Sequence, residues 1–323
     1  MWTLFPANGV NLRFLISVAG AFVLISLGVA TTVALQIEHD RVVRRAQQDA
    51  VQAAKLAGVI VDQMVRSVDG VVSTMQTALR YETADFESFV QQRQSWLARE
   101  VADRPLVKSY GVFDRHGKVL SSTVEGLVGR NVEARDYFKV HAEGEVRGSY
   151  VTDPIASVIT GERLFLMSWP LLDASRNLVG VVAMSFDTRA VEDVLAKVMD
   201  STRQHATILK ANGAILTSVG HIRTQALHAS YIDLGLSALL DDPALKRGGV
   251  AEAREEVVLG SKAVWLATLQ PFDTLDGAIV LTRPMSDVLA PWRMLMWTAV
   301  VAFGLLAAAI TAAAGAMMRL IGD

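Results

Sequence analysis

The chain has 323 residues, of which 51% are hydrophobic and 20% are charged, and its formal net charge is −2. This composition is too apolar for an ordinary soluble enzyme, so part of the chain is expected to lie in a membrane. The small negative charge argues against nucleic acid as a partner, because no basic face dominates. The absence of cysteine excludes a thiolate site.

The apolar residues are concentrated at the two ends of the chain. Residues 14–36 and 291–318 are each long enough to cross a hydrocarbon core of about 30 Å as a helix, so we predict two transmembrane helices. Trp292 and Trp297 are typical of the membrane interface. A cleaved signal peptide is the alternative for the first stretch, but its apolar run is too long, which favours an uncleaved anchor.

The two spans predict a topology and an assembly. Residues 1–13 and 319–323 are predicted to be cytoplasmic, and the central domain is predicted to lie in the periplasm or outside a bacterial cell, because long domains are translocated regardless of their charge. Both spans contain small residues at four-residue steps, a pattern that favours close helix packing and predicts a homodimer within the lipid. These residues are Ser26, Ala30 and Ala34 in the first span, and Gly304, Ala308, Ala312 and Ala316 in the second.

The segment after the first span has the pattern of a long helix. From Val42 to Leu79 apolar residues recur at steps of three and four, which predicts one amphipathic stalk helix. The apolar stripe could pack against the rest of the domain or form a contact between two copies of the chain, and the spacing does not separate these alternatives. A second, more polar helix is predicted at 86–99, so that residues 37–105 form the helical part of the central domain.

Two similar units of strands follow. In the first, residues 106–200, strands are predicted at 107–113, 118–123, 148–151, 163–171 and 178–186, and a helix at 189–199. In the second, residues 201–290, strands are predicted at 206–210, 214–218, 250–259, 263–270 and 277–282, with a helical stretch after the first two. Each unit begins with a hairpin whose turn contains a glycine, Gly117 or Gly213. The repeat predicts two α+β units with antiparallel sheets on one long helix.

The first unit carries motifs of a known family. The segment 129–141, with the pattern G-R-N-x3-R-D-Y-F-x2-H, is followed by G-x-Y at 148–150, G-x-R at 161–163 and N-L-V-G-V-V at 177–182. In order and spacing these resemble the membrane-distal module of double Cache domains, the paired PAS-like sensors of bacterial receptors.

The resemblance implies both a fold and a function. The implied fold class is α+β, with two PAS-like antiparallel-sheet modules strung along a long N-terminal stalk helix and flanked by two transmembrane helices. Residues 106–200 would be the membrane-distal module, and residues 201–290 the membrane-proximal one. The implied function is that of a membrane-anchored sensor, which binds a small molecule in the distal module and signals through the second transmembrane helix.

The same residues suggest a ligand site on physical grounds. Arg135 places a guanidinium fork beside the aromatic residues Tyr137 and Phe138, an arrangement that suits a carboxylate or another small anion. The full set of predicted ligand-binding residues is Arg135, Tyr137, Phe138, Tyr150, Asp153, Arg163, Ser168, Trp169 and Ser185. The alternative is that the aromatic residues belong to the core and that Arg135 pairs with Asp136 or Asp153.

The sequence departs from the amino-acid-binding members of the family. Those members carry an aspartate in the last strand, which holds the ligand's ammonium group, and a Trp-Tyr pair after the arginine. Here Ser185 stands at the aspartate position, and the pair is Tyr137-Phe138. The departure favours a small organic acid without an amine, whereas a register that brings Asp187 into the site would restore an amino acid.

Catalytic motifs were not found in the sequence. The six histidines show no metal-ligand spacing, and there is no phosphate-binding loop, nucleophile elbow or kinase signature. His141 is interpreted as a surface or pocket-rim residue. We therefore predict a protein that is not an enzyme and needs no metal or cofactor.

Only residues 319–323 follow the second span, so a cytoplasmic output domain is expected in a longer parent chain or in a partner. The parent is expected to be a histidine kinase, a diguanylate cyclase or a chemoreceptor. The alternative function is a membrane-anchored scaffold that presents the distal module to a protein partner through an exposed apolar patch.

Overall fold

The structure is a computed structural model that describes residues 12–81, 85–156, 161–199, 204–220, 250–258 and 261–320. Within these ranges the helices are α1 (Leu12–Tyr81), α2 (Phe86–Ala102), α3 (Asp136–Ala142), α4 (Thr188–Val198), α5 (Met285–Val288) and α6 (Ala290–Leu320). The strands are β1 (Val107–Asp114), β2 (Val119–Ser122), β3 (Tyr150–Val151), β4 (Ile155–Ala156), β5 (Arg163–Leu172), β6 (Leu178–Asp187), β7 (His205–Lys210), β8 (Ile215–Val219), β9 (Val250–Val258), β10 (Ser261–Pro271) and β11 (Gly277–Pro284). The helical stretch predicted between β8 and β9 lies outside the described residues.

The chain divides into two compact units. One comprises Met1–Gln48 and Ser286–Asp323, and the other comprises Asp49–Met285. The predicted first span and the stalk are continuous in a single helix, α1. Both α1 and α6 are long and apolar enough to cross a membrane, as the composition predicts.

The smaller unit pairs the N-terminal part of α1 with α6. The indole nitrogen of Trp292 donates a hydrogen bond to the carbonyl oxygen of Leu35 at 2.9 Å, and the Trp292 ring meets His39 edge-on, with ring centroids 5.1 Å apart. Gly28 lies at this contact, where a Cβ would meet the ring of Phe303 at 3.4 Å, an ordinary van der Waals distance. The small residues of both rows are exposed. The predicted homodimer remains a prediction.

The two modules of the larger unit share one strand order. The first module has a sheet ordered β2-β1-β6-β5-β3, with β4 also paired to β5, and the second module has a sheet ordered β8-β7-β11-β10-β9. All of these pairings are antiparallel. In both modules the first hairpin lies at one side and the last strand pairs with its inner strand. The α+β prediction of two repeated antiparallel modules is therefore confirmed.

The predicted glycine turns are present in both hairpins. Gly117 has φ +80° and Gly213 has φ +85°, a region that residues with a Cβ rarely adopt. A Cβ at Gly117 would also lie 2.7 Å from the backbone nitrogen of Glu133. The loop after the first hairpin therefore packs directly against the turn and leads the chain toward α3.

The apolar stripe of α1 packs on one face of both sheets. Val65, Val68 and Val71 are almost fully buried in a core that also contains Met184 of β6 and Ile279 of β11. Burial of this stripe against two separate sheets stabilises the long helix, whose isolated turns would gain little. The part of the stripe that faces the sheets is thus a core contact within one chain.

Three polar residues of α1 at seven-residue intervals add specific bonds. Asp62 accepts backbone hydrogen bonds from the turn between β10 and β11. Asp69 accepts a bond from the indole nitrogen of Trp169 at 2.8 Å. Gln76 both donates to the carbonyl of Leu172, at 2.6 Å, and accepts from its amide, at 3.0 Å. One side of α1 is thereby bonded to the second module through Asp62 and to the first module through Asp69 and Gln76.

Candidate functional site

The predicted ligand arginine lies at the start of α3. Arg135 is the N-cap residue, with an extended backbone (φ −87°, ψ 137°) and no capping hydrogen bond from its side chain. Its side chain is exposed, and in the described part of the chain no ion pair or hydrogen bond to its guanidinium is found. The five N–H donors of this group are thus available to a ligand, whereas an arginine held in a structural network has its donors already engaged.

The two aromatic residues after Arg135 differ in their burial. Phe138 is 1% exposed and packs in a small core with Val181 of β6. Tyr137 packs on the edge of that core, with its ring centroid 5.8 Å from that of Phe113. Burial raises the pKa of Tyr137 to about 12, and the nearby Arg135 cation acts in the opposite direction. The Tyr137 hydroxyl is therefore protonated at neutral pH and able to donate a hydrogen bond.

The sheet face beneath α3 has small and polar side chains. The register pairs Ser185 of β6 with Ser109 of β1 and with Leu166 of β5. The hydroxyl oxygens of Ser109 and Ser185 are 2.6 Å apart and share a hydrogen bond. Ser168, which pairs with Ala183, lies on the same face. Of the predicted residues, Ser168 and Ser185 therefore lie on the face that α3 covers, as does Tyr150 of β3, which pairs with Ser168.

His141 joins this face to α3. It is 4% exposed, so it is buried and not a surface residue. Its Nδ1 lies 3.0 Å from the carbonyl oxygen of Val146, and its Nε2 lies 2.9 Å from the hydroxyl of Ser168. Burial lowers the pKa of His141, so the neutral ring donates from Nδ1 to the carbonyl and accepts from Ser168 at Nε2. Both nitrogens are used, which suits a structural role between α3 and β5.

Two predicted residues lie on the other face of β5. Trp169 faces α1 and bonds to Asp69. Arg163 donates to the carbonyl oxygen of Ile215 in the second module at 3.0 Å. Neither side chain is placed beside Arg135, so the structure does not bring the full predicted set together.

Tyr150 and Asp153 lie at the edge between the two modules. Asp153 pairs with Lys210 of β7 at 2.6 Å, and the Lys210 ammonium lies 5.6 Å from the centroid of the Tyr150 ring. The pKa of Tyr150 is raised, mainly by burial and further by the carboxylates of Asp136 and Asp153. Tyr150 therefore lies within electrostatic range of the first turn of α3 and of the second module at once.

A cavity of about 350 Å³ lies beside this contact, between the modules. Its lining includes Ser149, Tyr150, Lys210, Asn212 and Asp276. The sequence did not predict Lys210 as part of any site. Its partner Asp153 lies 57 residues earlier in the chain, and no local pattern connects the two.

Comparison with known proteins supports this architecture. No protein-family model matches the sequence, and no curated protein matches it. Among solved structures, the extracellular domain of the putative histidine kinase rpHK1S-Z16 is similar with a TM-score of 0.60 and 16% identity, over 77% of this chain and 99% of that one. The periplasmic sensory domain of the Campylobacter jejuni chemoreceptor Tlp1 also gives a TM-score of 0.60, with 11% identity over 77% and 99%.

A third similar structure is the ligand-binding domain of the Pseudomonas aeruginosa amino acid chemoreceptor PctC in complex with GABA. Its TM-score is 0.52 and its identity is 16%, over 74% of this chain and 99% of that one. All three are sensor domains of membrane receptors, and none is described as catalytic. The central region of this chain has the fold of the double Cache sensors, as the motifs of the first module predict.

Proposed function

We propose that this chain is the signal-input part of a transmembrane receptor, and that its first module binds a small carboxylate ligand between α3 and β3. The observation that carries the proposal is the exposed guanidinium of Arg135 at the start of α3, next to the protonated hydroxyl of Tyr137. A planar fork and a neutral donor side by side match the two oxygens of a carboxylate. The fold, which is that of ligand-binding sensors, is consistent with this use.

We infer further that the ligand is an organic acid without an amine. The structures of similar fold include complexes with GABA and with L-Gln, each of which carries a carboxylate and an amine. In this chain Ser185 bonds to Ser109, and the carboxylate of Asp187 accepts from the amide of Arg189 at the start of α4. Asp153 is paired with Lys210. The carboxylates that would hold an ammonium group are thus engaged elsewhere, apart from Asp136.

The ligand proposal predicts the effect of one substitution. Arg135→Ala should weaken binding by about 2–4 kcal/mol, or at least about 30-fold, because the ligand anion loses a charge-assisted, bidentate partner. Arg135→Lys should restore only part of this loss, since an ammonium group lacks the planar fork. The measurement is a thermal-shift screen of the full chain in nanodiscs against C4 to C6 organic acids and amino acids, followed by calorimetry on the hits.

Arg99→Ala is the matched control, because Arg99 is an exposed arginine of α2 and does not lie on α3. It should leave affinity unchanged. Unaltered affinity in Arg135→Ala would reject the site. If amino acids alone stabilise the protein, the ligand would instead be one that carries an amine, and Asp136, which follows Arg135 in the chain and acts electrostatically on Tyr150, would be the carboxylate available to it.

The proposal includes a membrane topology. The two apolar helices α1 and α6 would cross a bacterial inner membrane, with the modules in the periplasm and the signal leaving through α6 to a cytoplasmic output. The exposed rows of small residues would bring two copies together. Reporter fusions at residue 200 and at the C-terminus should give opposite compartments. Fusions that report the same compartment would reject the topology.

A further inference from the structure

A second cleft in the first module has a different chemistry from the α3 site. It has a volume of about 770 Å³ and is bordered by three arginines from three separate elements. Arg80 comes from the last turn of α1, Arg147 from the segment after α3, and Arg176 from the turn between β5 and β6. None of these residues belongs to the ligand set predicted around Arg135.

The arginines form no ion pair in the described part of the chain. No ion pair or hydrogen bond to the side chains of Arg80, Arg147 or Arg176 is found among the residues that the structure describes, and all three are exposed. Asp173 is the one carboxylate among the described lining residues. Its two oxygens accept from the amide and the side-chain nitrogen of Asn177, at 2.8 and 3.1 Å, which lowers its pKa. Asp173 therefore shapes the turn and offsets only part of the positive charge.

The floor of the cleft is apolar and uncharged. Pro170 and Leu172 of β5 line it, together with His141. Because burial lowers the pKa of His141, its ring is neutral at pH 7 and adds no charge. Positive groups around a concave, weakly polar floor concentrate an attractive potential for anions.

The backbone conformation of Arg176 also suggests that the cleft attracts anions. Its φ is +65°, and it is the one residue other than glycine with a positive φ within the described ranges. That conformation favours glycine or asparagine and costs about 1 kcal/mol or more for a bulky side chain. The turn thus presents an arginine to the cleft at a position where glycine or asparagine would be less strained.

We propose that this cleft is a binding site for a multiply charged oxyanion, either a di- or tricarboxylate or a phosphate compound. Three guanidinium forks can each bind two oxygens, so a ligand with several oxyanion groups matches them and a monocarboxylate does not. A cleft of about 770 Å³ is within the size range of small-molecule sites. The site lies apart from Arg135 and does not depend on the function proposed for it.

The test uses the full chain in phosphatidylcholine nanodiscs at constant ionic strength. Citrate and pyrophosphate serve as the two probes, and acetate is the singly charged control. Calorimetry should show saturable binding of at least one probe and none of acetate. A preference for citrate would assign a carboxylate ligand, and a preference for pyrophosphate would assign a phosphate.

Substitutions locate the binding. The double variant Arg147→Gln with Arg176→Gln should bind the probe with about 100-fold lower affinity, or about 10-fold for each arginine. Arg189→Gln removes an exposed arginine that does not line the cleft, and it should change the affinity for the probe by less than about twofold. The double variant should melt within about 1 °C of the parent without the probe, since it removes only exposed side chains.

Three outcomes would overturn the proposal. One is the absence of saturable binding of both probes at constant ionic strength, which would indicate that the arginines only attract a diffuse cloud of anions. Another is undiminished binding in the double variant. The third is loss of probe binding in Arg135→Ala to the same extent, which would place the anion at the α3 site instead.

Discussion

Asp62 of α1 carries a carboxylate that binds the turn between β10 and β11 in the second module. The residue is 6% exposed. Its Oδ1 accepts from the amide of Thr274 at 3.0 Å and from the Thr274 hydroxyl at 2.6 Å, and its two oxygens lie 3.1 and 3.2 Å from the amide of Asp273. One side chain thus satisfies three donors of a turn that lies more than 200 residues further along the chain.

Asp62→Ala leaves these three donors without their acceptor. A hydrogen bond to a charged group contributes about 1.5–3 kcal/mol. The turn is partly solvated, because the Asp273 side chain is 82% exposed, and water will replace some of the bonds. The expected loss is therefore about 2–4 kcal/mol, below the sum of three such bonds. In a domain of this size, that loss lowers Tm by about 4–16 °C.

The assay is thermal unfolding of the full chain in detergent, combined with hydrogen exchange at the Asp273 and Thr274 amides. Both amides should lose protection in Asp62→Ala, and Asp62→Asn should show a smaller effect because one acceptor oxygen remains. Asp49→Ala is the control, since Asp49 is an exposed aspartate of the same helix, and it should stay within about 0.5 kcal/mol of the parent. A Tm for Asp62→Ala within 1 °C of the parent, with both amides still protected, would refute the role of this carboxylate.

Two further predictions concern the first module. Trp169→Phe should cost about 1–2 kcal/mol in urea unfolding, because Asp69, whose pKa is already raised by burial, loses its indole donor. A cost of the same size in an Asp69→Ala background, which has no acceptor for the indole, would contradict this. Burial lowers the pKa of His141 in the folded state, so the unfolded state takes up a proton first as the pH falls. Tm should therefore be constant above about pH 7 and should fall as the pH drops through about 6.5, the pKa of an unfolded histidine, toward the lower pKa of the folded state. This pH slope should be shallower in His141→Asn, and equal slopes would assign it to other groups.

Local patterns predicted the elements well. The step of three and four along α1 and the glycines of the two hairpins depend on neighbours within a few residues, so they are legible in the sequence. The bonds of Asp69 and Gln76 are different, because their partners lie about 100 residues away. A signal for them was nevertheless present, as Asp62, Asp69 and Gln76 recur at intervals of seven beside the apolar stripe.

The candidate site was predicted less completely, for a geometric reason. Adjacent residues of a strand point to opposite faces of its sheet. Ser168 and Trp169 therefore could not both line one pocket, and β5 places Ser168 against His141 and Trp169 against α1. Parity along the strand would have separated these two residues from the sequence alone. Strand parity does not say which of these two residues points toward the proposed ligand site. That depends on the face of the sheet against which α3 packs.

The contacts of Asp153 and Arg163 bear on how the proposed site would signal. Both residues bond to the second module, Asp153 to the Lys210 ammonium and Arg163 to a carbonyl oxygen of β8. Tyr150 lies near Lys210 on one side and within the field of Asp136 on the other. A ligand anion held by Arg135, as proposed above, would change the charge around Tyr150, and the Lys210 ammonium, 5.6 Å from the centroid of the Tyr150 ring, would lie in the same field. Lys210 pairs in register with Gly277 of β11, the strand that precedes α5 and α6 in the chain.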